Sequence, residues 1–156
     1  MIDDTDRKIL EILQQNSRTS NADIARSVGM AASATLERIR KLEERGMIRG
    51  YGVDLEPRML GLGILAFIFV KADESLAQAP TAEALAAIPQ VLEVHHIAGE
   101  DCYLAKVRAA STDTLGRMLR ETLGAIPTIT STRTTIVLET VKEGTALPLD
   151  GEEHHD

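Results

Sequence analysis

The sequence predicts an α+β chain in two parts: an N-terminal three-helix (winged) helix-turn-helix unit and a C-terminal ferredoxin-like βαββαβ domain. Two observations predict it. Apolar residues recur at helical spacing through three short segments within residues 1–50, with a glycine punctuating the interval between the second and third. Further on, Ala-Ile-Pro occurs twice, at Ala87–Pro89 and Ala125–Pro127, each time after a helical pattern and before an extended one. The boundaries read as residues 1–50 for the helical unit, 51–62 for a hinge strand, 63–142 for the ferredoxin-like domain and 143–156 for a C-terminal tail.

Asp3, Asp4 and Asp6 place negative charge where a helix N-terminus favours it, and Ile9, Leu10 and Leu13 form the buried stripe of the first helix. Ser20 opens the second helix, with Asp23 three residues on as a short capping box, and Ile24, Ala25 and Val28 as its inner face. Gly29 ends it in the left-handed conformation that a tight turn needs. The third helix runs from about Ala32 to Arg45. Leu36, Ile39 and Leu42 read as its core face, Ser33, Ala34, Glu37 and Lys41 as the opposite face, and Arg38 and Arg40 as the edges. Gly46 stops this helix, and Met47 and Ile48 return to the core.

Arg49 to Pro57 holds two glycines and a proline, with Val53 and Leu55 alternating with polar neighbours as in a short strand; a flexible connector is the other reading. The second domain then reads as strand Ile64–Lys71, helix Thr81–Ile88, strand Val91–Ile97, strand Tyr103–Arg108, helix Asp113–Leu123 and strand Thr130–Val141. Two such crossovers build one antiparallel four-stranded sheet with both helices on one face. Ile64 to Val70 is apolar at both parities, although the domain's own helices cover only one face. A second copy of the chain is the simplest cover for the other face, so a homodimer is expected.

Composition narrows the function classes. Aromatic residues make up only 3% of the chain, so the core must be aliphatic. The single cysteine, Cys102, has no intrachain partner for a disulfide or a zinc site, which fits a reducing cytoplasm. The acidic start is unlike a secretory leader, and the apolar run at Ile64–Val70 is far too short to span a bilayer. The net charge of −7 is unevenly placed. Residues 1–50 hold nine Lys/Arg against eight Asp/Glu, a net of +1, and the remainder eight against sixteen, a net of −8. A polyanion would therefore be met by the helical unit. On duplex DNA, Ser33, Ala34 and Glu37 would face base edges, and Arg38, Arg40 and Lys41 would reach phosphates or bases from the sides. Arg18, Ser20 and Asn21 would hold the backbone at the start of the second helix. A three-helix unit that contacts protein is the competing reading. No nucleophile–base pair, phosphate loop or metal motif stands out, so no enzyme is expected.

At this point the chain resembles the Lrp/AsnC family of leucine- and asparagine-responsive regulators, from about Ile2 to Leu149. The resemblance rests on Ile2–Leu10, Arg18–Ala25 and Leu36–Ile48 taken together. It implies a sequence-specific transcription regulator of bacterial or archaeal type, associated with the nucleoid and working on palindromic double-stranded DNA. It also implies that the hinge strand pairs with its copy in the partner subunit, that dimers build an octamer or another higher oligomer, and that the second domain is a ligand-sensing (RAM) module. The implied effector is an amino acid, with no other cofactor.

The Ala98–Tyr103 connection is similar to the family's effector loop and brings Ala98, Gly99, Glu100, Asp101 and Tyr103 to such a site, with His96 upstream and Thr132, Thr134 and Thr135 on the last strand. Two departures from the family's pattern stand out. Ala31 and Ala32 replace Ser-Pro at the third helix, a lost side-chain cap costing about 1 kcal/mol unless Ser33 or tertiary contacts replace it. Cys102 stands where the family's loop has Asp, with Asp101 one place earlier. His95 reads as a packed strand residue, and Glu152–Asp156 as a solvated acidic terminus. The alternative function is a metabolite-binding oligomeric scaffold whose helices contact protein instead of DNA.

Overall fold

Caps decide where the first unit's helices begin. In the structure, a computed structural model that describes residues 2–75 and 78–149, α1 spans Asp4–Gln15 and the Asp3 carboxylate accepts from the Asp6 amide at 2.8 Å. Helix α2 spans Asn21–Val28, with the Ser20 hydroxyl accepting from the Asp23 amide at 3.1 Å and donating to its carboxylate at 2.6 Å. Gly29, at φ +71°, turns the chain, and the Met30 amide closes on the Ala25 carbonyl. Helix α3 spans Ala32–Glu44 and has no side-chain cap, so Ser33 does not replace the missing one. Ile9, Ile24, Ile39 and Leu42 are the buried core of this unit, with Ile48 packed against it; Met47, expected beside Ile48, is about half exposed.

The first unit comprises the residues up to Asp54 together with those from Lys142 on; the second is Leu55–Val141. The Gln14 carboxamide pairs with both backbone polar groups of Leu147 in the C-terminal segment. It donates to the Leu147 carbonyl at 3.0 Å and accepts from the Leu147 amide at 2.7 Å, while Arg7 reaches the Leu149 carbonyl at 3.4 Å. His154 and His155, expected in a solvated terminus, lie outside the described residues. Residues 51–56 form no ladder within the chain, and Val53 and Leu55 are exposed. The expected hinge strand is thus not paired among the described residues.

In the second unit β1 (Ile64–Ala72), β2 (Val91–His96), β3 (Tyr103–Ala109) and β4 (Ile129–Ile136) form one antiparallel sheet in the order β2-β3-β1-β4. Helix α4 is Pro80–Ala86; α5 is Thr112–Arg117 and continues through a π-turn at Met118–Thr122 and a 3-10 turn at Leu123–Ala125. The two crossovers give the ferredoxin-like topology. Strand β4 is shorter than its sequence pattern, although the Val137 amide still bonds the Leu65 carbonyl.

Cross-strand partners share a face. Ala66, Ile68 and Val70 of β1, with Tyr103, Ala105 and Val107 of β3, lie under Leu85, Leu115, Met118 and Leu123 of the helical layer. The other face carries Leu65, Phe67 and Phe69 beside Leu104 and Arg133, and Phe67, Phe69 and Leu104 are only half-buried. His95, expected to pack, is exposed beside Glu93 at 3.1 Å, since its outer position on edge strand β2 faces no covering layer.

Ile68 is fully buried between sheet and helices. We expect Ile68→Ala to cost about 2–5 kcal/mol of unfolding free energy, measured by urea titration of the full chain.

Candidate functional sites

The rotation of α3 about its own axis settles what the first unit can present. Thr35, Ile39 and Leu42 point inward; Ser33, Leu36, Glu37, Arg40, Lys41 and Glu44 point outward. This departs from the sequence expectation at three places. Leu36, expected in the core, is 52% exposed, and Thr35 takes the core position in its stead. Thr35 can do so because its hydroxyl donates to the Ala31 carbonyl at 3.1 Å, leaving the methyl group to the core. Ala34, expected opposite the core, is half-buried on the flank.

Arg38, expected at the edge of a DNA contact, points back to α1. Its guanidinium donates to Asp3 at 2.7 Å and Asp6 at 2.8 Å, and the two carboxylates hold it in its charged form. Asp3 in turn is held below the usual carboxylate range, first by the Asp6 amide and then by Arg38. Arg38 therefore positions α3 within the unit.

The outward cations remain displaceable. Arg40 pairs with Glu37 at 3.2 Å and Glu44 at 3.6 Å, and Lys41 with Glu37 at 3.9 Å, all of them exposed. Such pairs are worth about 0.3–0.5 kcal/mol each, so a phosphate can displace them. Arg18 and Asn21 are exposed at the start of α2, whereas the Ser20 hydroxyl is engaged in the cap. Past α3, the Tyr51 hydroxyl donates to Glu43 at 2.8 Å; burial, then this bond, push its pKa up to about 12.

The residues expected to bind an effector do not share one surface. Strand alternation divides β4: Thr132 and Thr134 pair with Val70 and Ile68 on the helix-covered side, and Thr135 pairs with Phe67 on the other. Tyr103 is buried on the helix side, where its hydroxyl donates to Glu74. Glu74 also accepts from the Thr81 hydroxyl at 2.5 Å and the Thr81 amide at 3.1 Å. Burial opposes ionisation of Glu74, but these bonds together outweigh it and hold the carboxyl low; the Tyr103 hydroxyl is pushed up to about 12, first by Glu74 and then by burial. His96 lies against Tyr103, ring centroids 5.2 Å apart. Ala98, Gly99 and Glu100 are exposed at the loop tip, with Gly99 at φ +137°, a conformation open to glycine.

Sequence reasoning missed Arg133. It pairs with Asp101 at 3.0 Å, and its guanidinium stacks over the Phe69 ring at 4.0 Å. The signal available was the one cation in the Thr130–Thr135 run, opposite an aromatic in the register of β1. Among the described residues no group of His, Cys, Asp and Glu side chains is placed to hold a metal ion, and no helix is long and apolar enough to cross a membrane.

Comparison with known proteins agrees with both units. Residues 2–49 match a family model described as winged helix-turn-helix DNA-binding, and residues 65–147 match the Lrp/AsnC ligand binding domain. The chain is 36% identical over 148 residues to the HTH-type transcriptional regulator FL11 of Pyrococcus horikoshii, covering 95% of this chain and 97% of that protein. It is 34% identical over 150 residues to the leucine-responsive regulatory protein of Escherichia coli, covering 94% and 90%. Among solved structures, a Neisseria meningitidis transcriptional regulator in complex with L-Met superposes with a TM-score of 0.91 at 30% identity, covering 96% and 98% of the two chains. Escherichia coli AsnC gives 0.86 at 33% identity, covering 95% and 99%.

The Asp3 carboxylate, held by the Asp6 amide and then by Arg38, makes a pH signature. Because the folded pKa of Asp3 is depressed, its contribution is present above the unfolded value of about 3.8 and is lost as pH falls through the folded value. In thermal melts of the full chain, we expect the helical unit of wild type to lose stability more steeply than Asp3→Asn as pH falls from 5 to 3.

Proposed function

The chain belongs to the Lrp/AsnC family of transcription regulators, and on that footing we propose that two copies read a palindromic duplex site with α3 of each first unit and adjust that binding to an amino acid effector. The observation that carries the proposal is the outward face of α3. It presents Ser33, Glu37, Arg40 and Lys41 to solvent behind a helix-turn-helix turn closed at Gly29. Ser33 and Glu37 can meet base edges, Glu37 as an acceptor for the cytosine amino group. Arg40 and Lys41 exchange their intrahelical partners for phosphates or for guanine, and Arg18 and Asn21 reach the backbone from α2. Ala34 is a flank contact at most, and Ser20 contributes through its cap.

Twofold pairing of subunits follows from the second unit. Phe67, Phe69 and Leu104 form an apolar surface on the sheet face that the chain's own helices leave open, and a second copy covers it with the same residues. The exposed strand-like residues Val53 and Leu55 add a ladder edge for the partner's hinge. Twofold heads then set two half-sites about one helical turn or a multiple apart, and further assembly of dimers to an octamer is compatible with this arrangement.

The effector site lies at the Ala98–Asp101 loop with Thr135 and Arg133. Asp101 and Arg133 form an ion pair at an exposed sheet end, and an amino acid carries the complementary pair of charges on one carbon. Its ammonium group takes Asp101 and its carboxylate takes Arg133 or loop amides near Gly99. Support for this ligand class comes from the L-Met complex of the Neisseria relative. Such a ligand changes DNA binding only through different affinity for two assembly states.

In gel-shift titrations we expect wild-type affinity to fall steeply with salt, with a log-log slope of about −0.9 for each phosphate contact. Arg40→Ala with Lys41→Ala should flatten that slope by the same amount for each phosphate no longer held, and leave the oligomer in sedimentation runs unchanged. Binding indifferent to salt between 50 and 300 mM, on the scale of those contacts, would sink the reading in favour of a protein-contacting scaffold. For the effector, Asp101→Ala should abolish the shift in assembly or DNA affinity that a panel of amino acids produces in wild type, while binding without amino acid persists.

A further inference from the structure

We infer that Leu36 is a specificity residue that reads thymine, by apolar contact with the C5-methyl group in the major groove. The inference rests on the DNA-reading function proposed above. Leu36 is 52% exposed while the adjacent Thr35 is fully buried. Burial of apolar surface alone would favour a helix turned to bring Leu36 inward. The opposite setting is held from two sides: Arg38 is fixed by Asp3 and Asp6, and the Thr35 hydroxyl is satisfied by the Ala31 carbonyl. The fold therefore presents a branched aliphatic side chain on the outward face of the helix that enters the groove.

Its neighbours suit such a contact. Ser33 and Arg40 stand three residues before and four residues after Leu36, on the same surface strip, and Ala32 adds only a methyl group four residues before it. Leu36 is thus the one large apolar group standing clear of the first two turns of α3. The exposed Ser33, Glu37 and Arg40 can recognise donors and acceptors, but none is suited to a methyl group. Thymine is the one base that offers an apolar group at the major-groove edge, so the two surfaces are complementary.

The test uses the full chain. Duplexes are selected from a random pool, and each thymine of the enriched site is replaced in turn, in both half-sites, by deoxyuridine, which removes the methyl group and keeps the base pairing. At one or more positions wild-type affinity should drop about 4-fold for each methyl removed, the scale of burying one such group. Leu36→Ala should bind the thymine and uracil duplexes alike at that position. Arg40→Ala should bind all duplexes more weakly and keep the thymine preference, which separates a failure of methyl reading from general weakening. The proposal is overturned if Leu36→Ala retains the full wild-type preference, if wild type is indifferent to every replacement, or if the enriched half-site holds no thymine. A chain that enriches no duplex overturns the DNA-reading function itself, and does so by loss of all binding.

Discussion

The Arg38 guanidinium, shared between Asp3 and Asp6, is the contact on which the first unit's use of α3 depends. A helix of this length is held on its neighbours mainly by apolar side chains, and Ile39 and Leu42 alone would tolerate some rotation about the axis. The charge pair removes that freedom, since a turn by one residue would carry Arg38 out of reach of both carboxylates. It ties the start of α1 to the middle of α3, so the cap of one helix and the azimuth of another are a single arrangement. Which side chains α3 turns outward is thus decided by a contact on its flank.

In the second unit the corresponding fixed point is Glu74. This carboxylate follows β1 and accepts from the start of α4 and from Tyr103 of β3, so it joins three elements at one end of the sheet. Thr128, just ahead of β4, meets the Thr81 hydroxyl at 2.5 Å and brings in a fourth. Between these polar contacts the core is built of small and branched residues, such as Ala66, Ala105, Val107 and Leu85. The layers can therefore pack closely with very few aromatic rings.

Much of the architecture was legible because caps, glycine punctuation and the duplicated Ala-Ile-Pro are local signals. The Ser20–Asp23 cap, the turn at Gly29 and the order of the second unit's strands and helices could be read directly from residues. The face of α3 could not. Leu36 carries a stronger apolar signal than Thr35, and only the folded unit shows that Thr35 satisfies its own hydroxyl and that Arg38 is held from α1. The effector residues are divided for a related reason: spacing placed Thr132, Thr134 and Thr135 on one strand, while alternation puts Thr135 on the other side of the sheet. The Asp101–Arg133 pair joins positions far apart in the chain, and nothing in either neighbourhood announces it. The hinge read as a strand because its alternation is real, but a ladder depends on what lies alongside.

The pairing of Gln14 with the Leu147 backbone has a topological consequence. The helical unit is discontinuous in the chain: it is left at Asp54 and re-entered at Lys142, so the sheet-bearing unit is a guest spliced into its host. A fragment cut after Asp54 would strand the Gln14 carboxamide without the backbone groups it now satisfies. Replacing the sheet-bearing unit of this chain is accordingly a matter of two junctions, and a chimera that respects only the first inherits a host missing its closing segment.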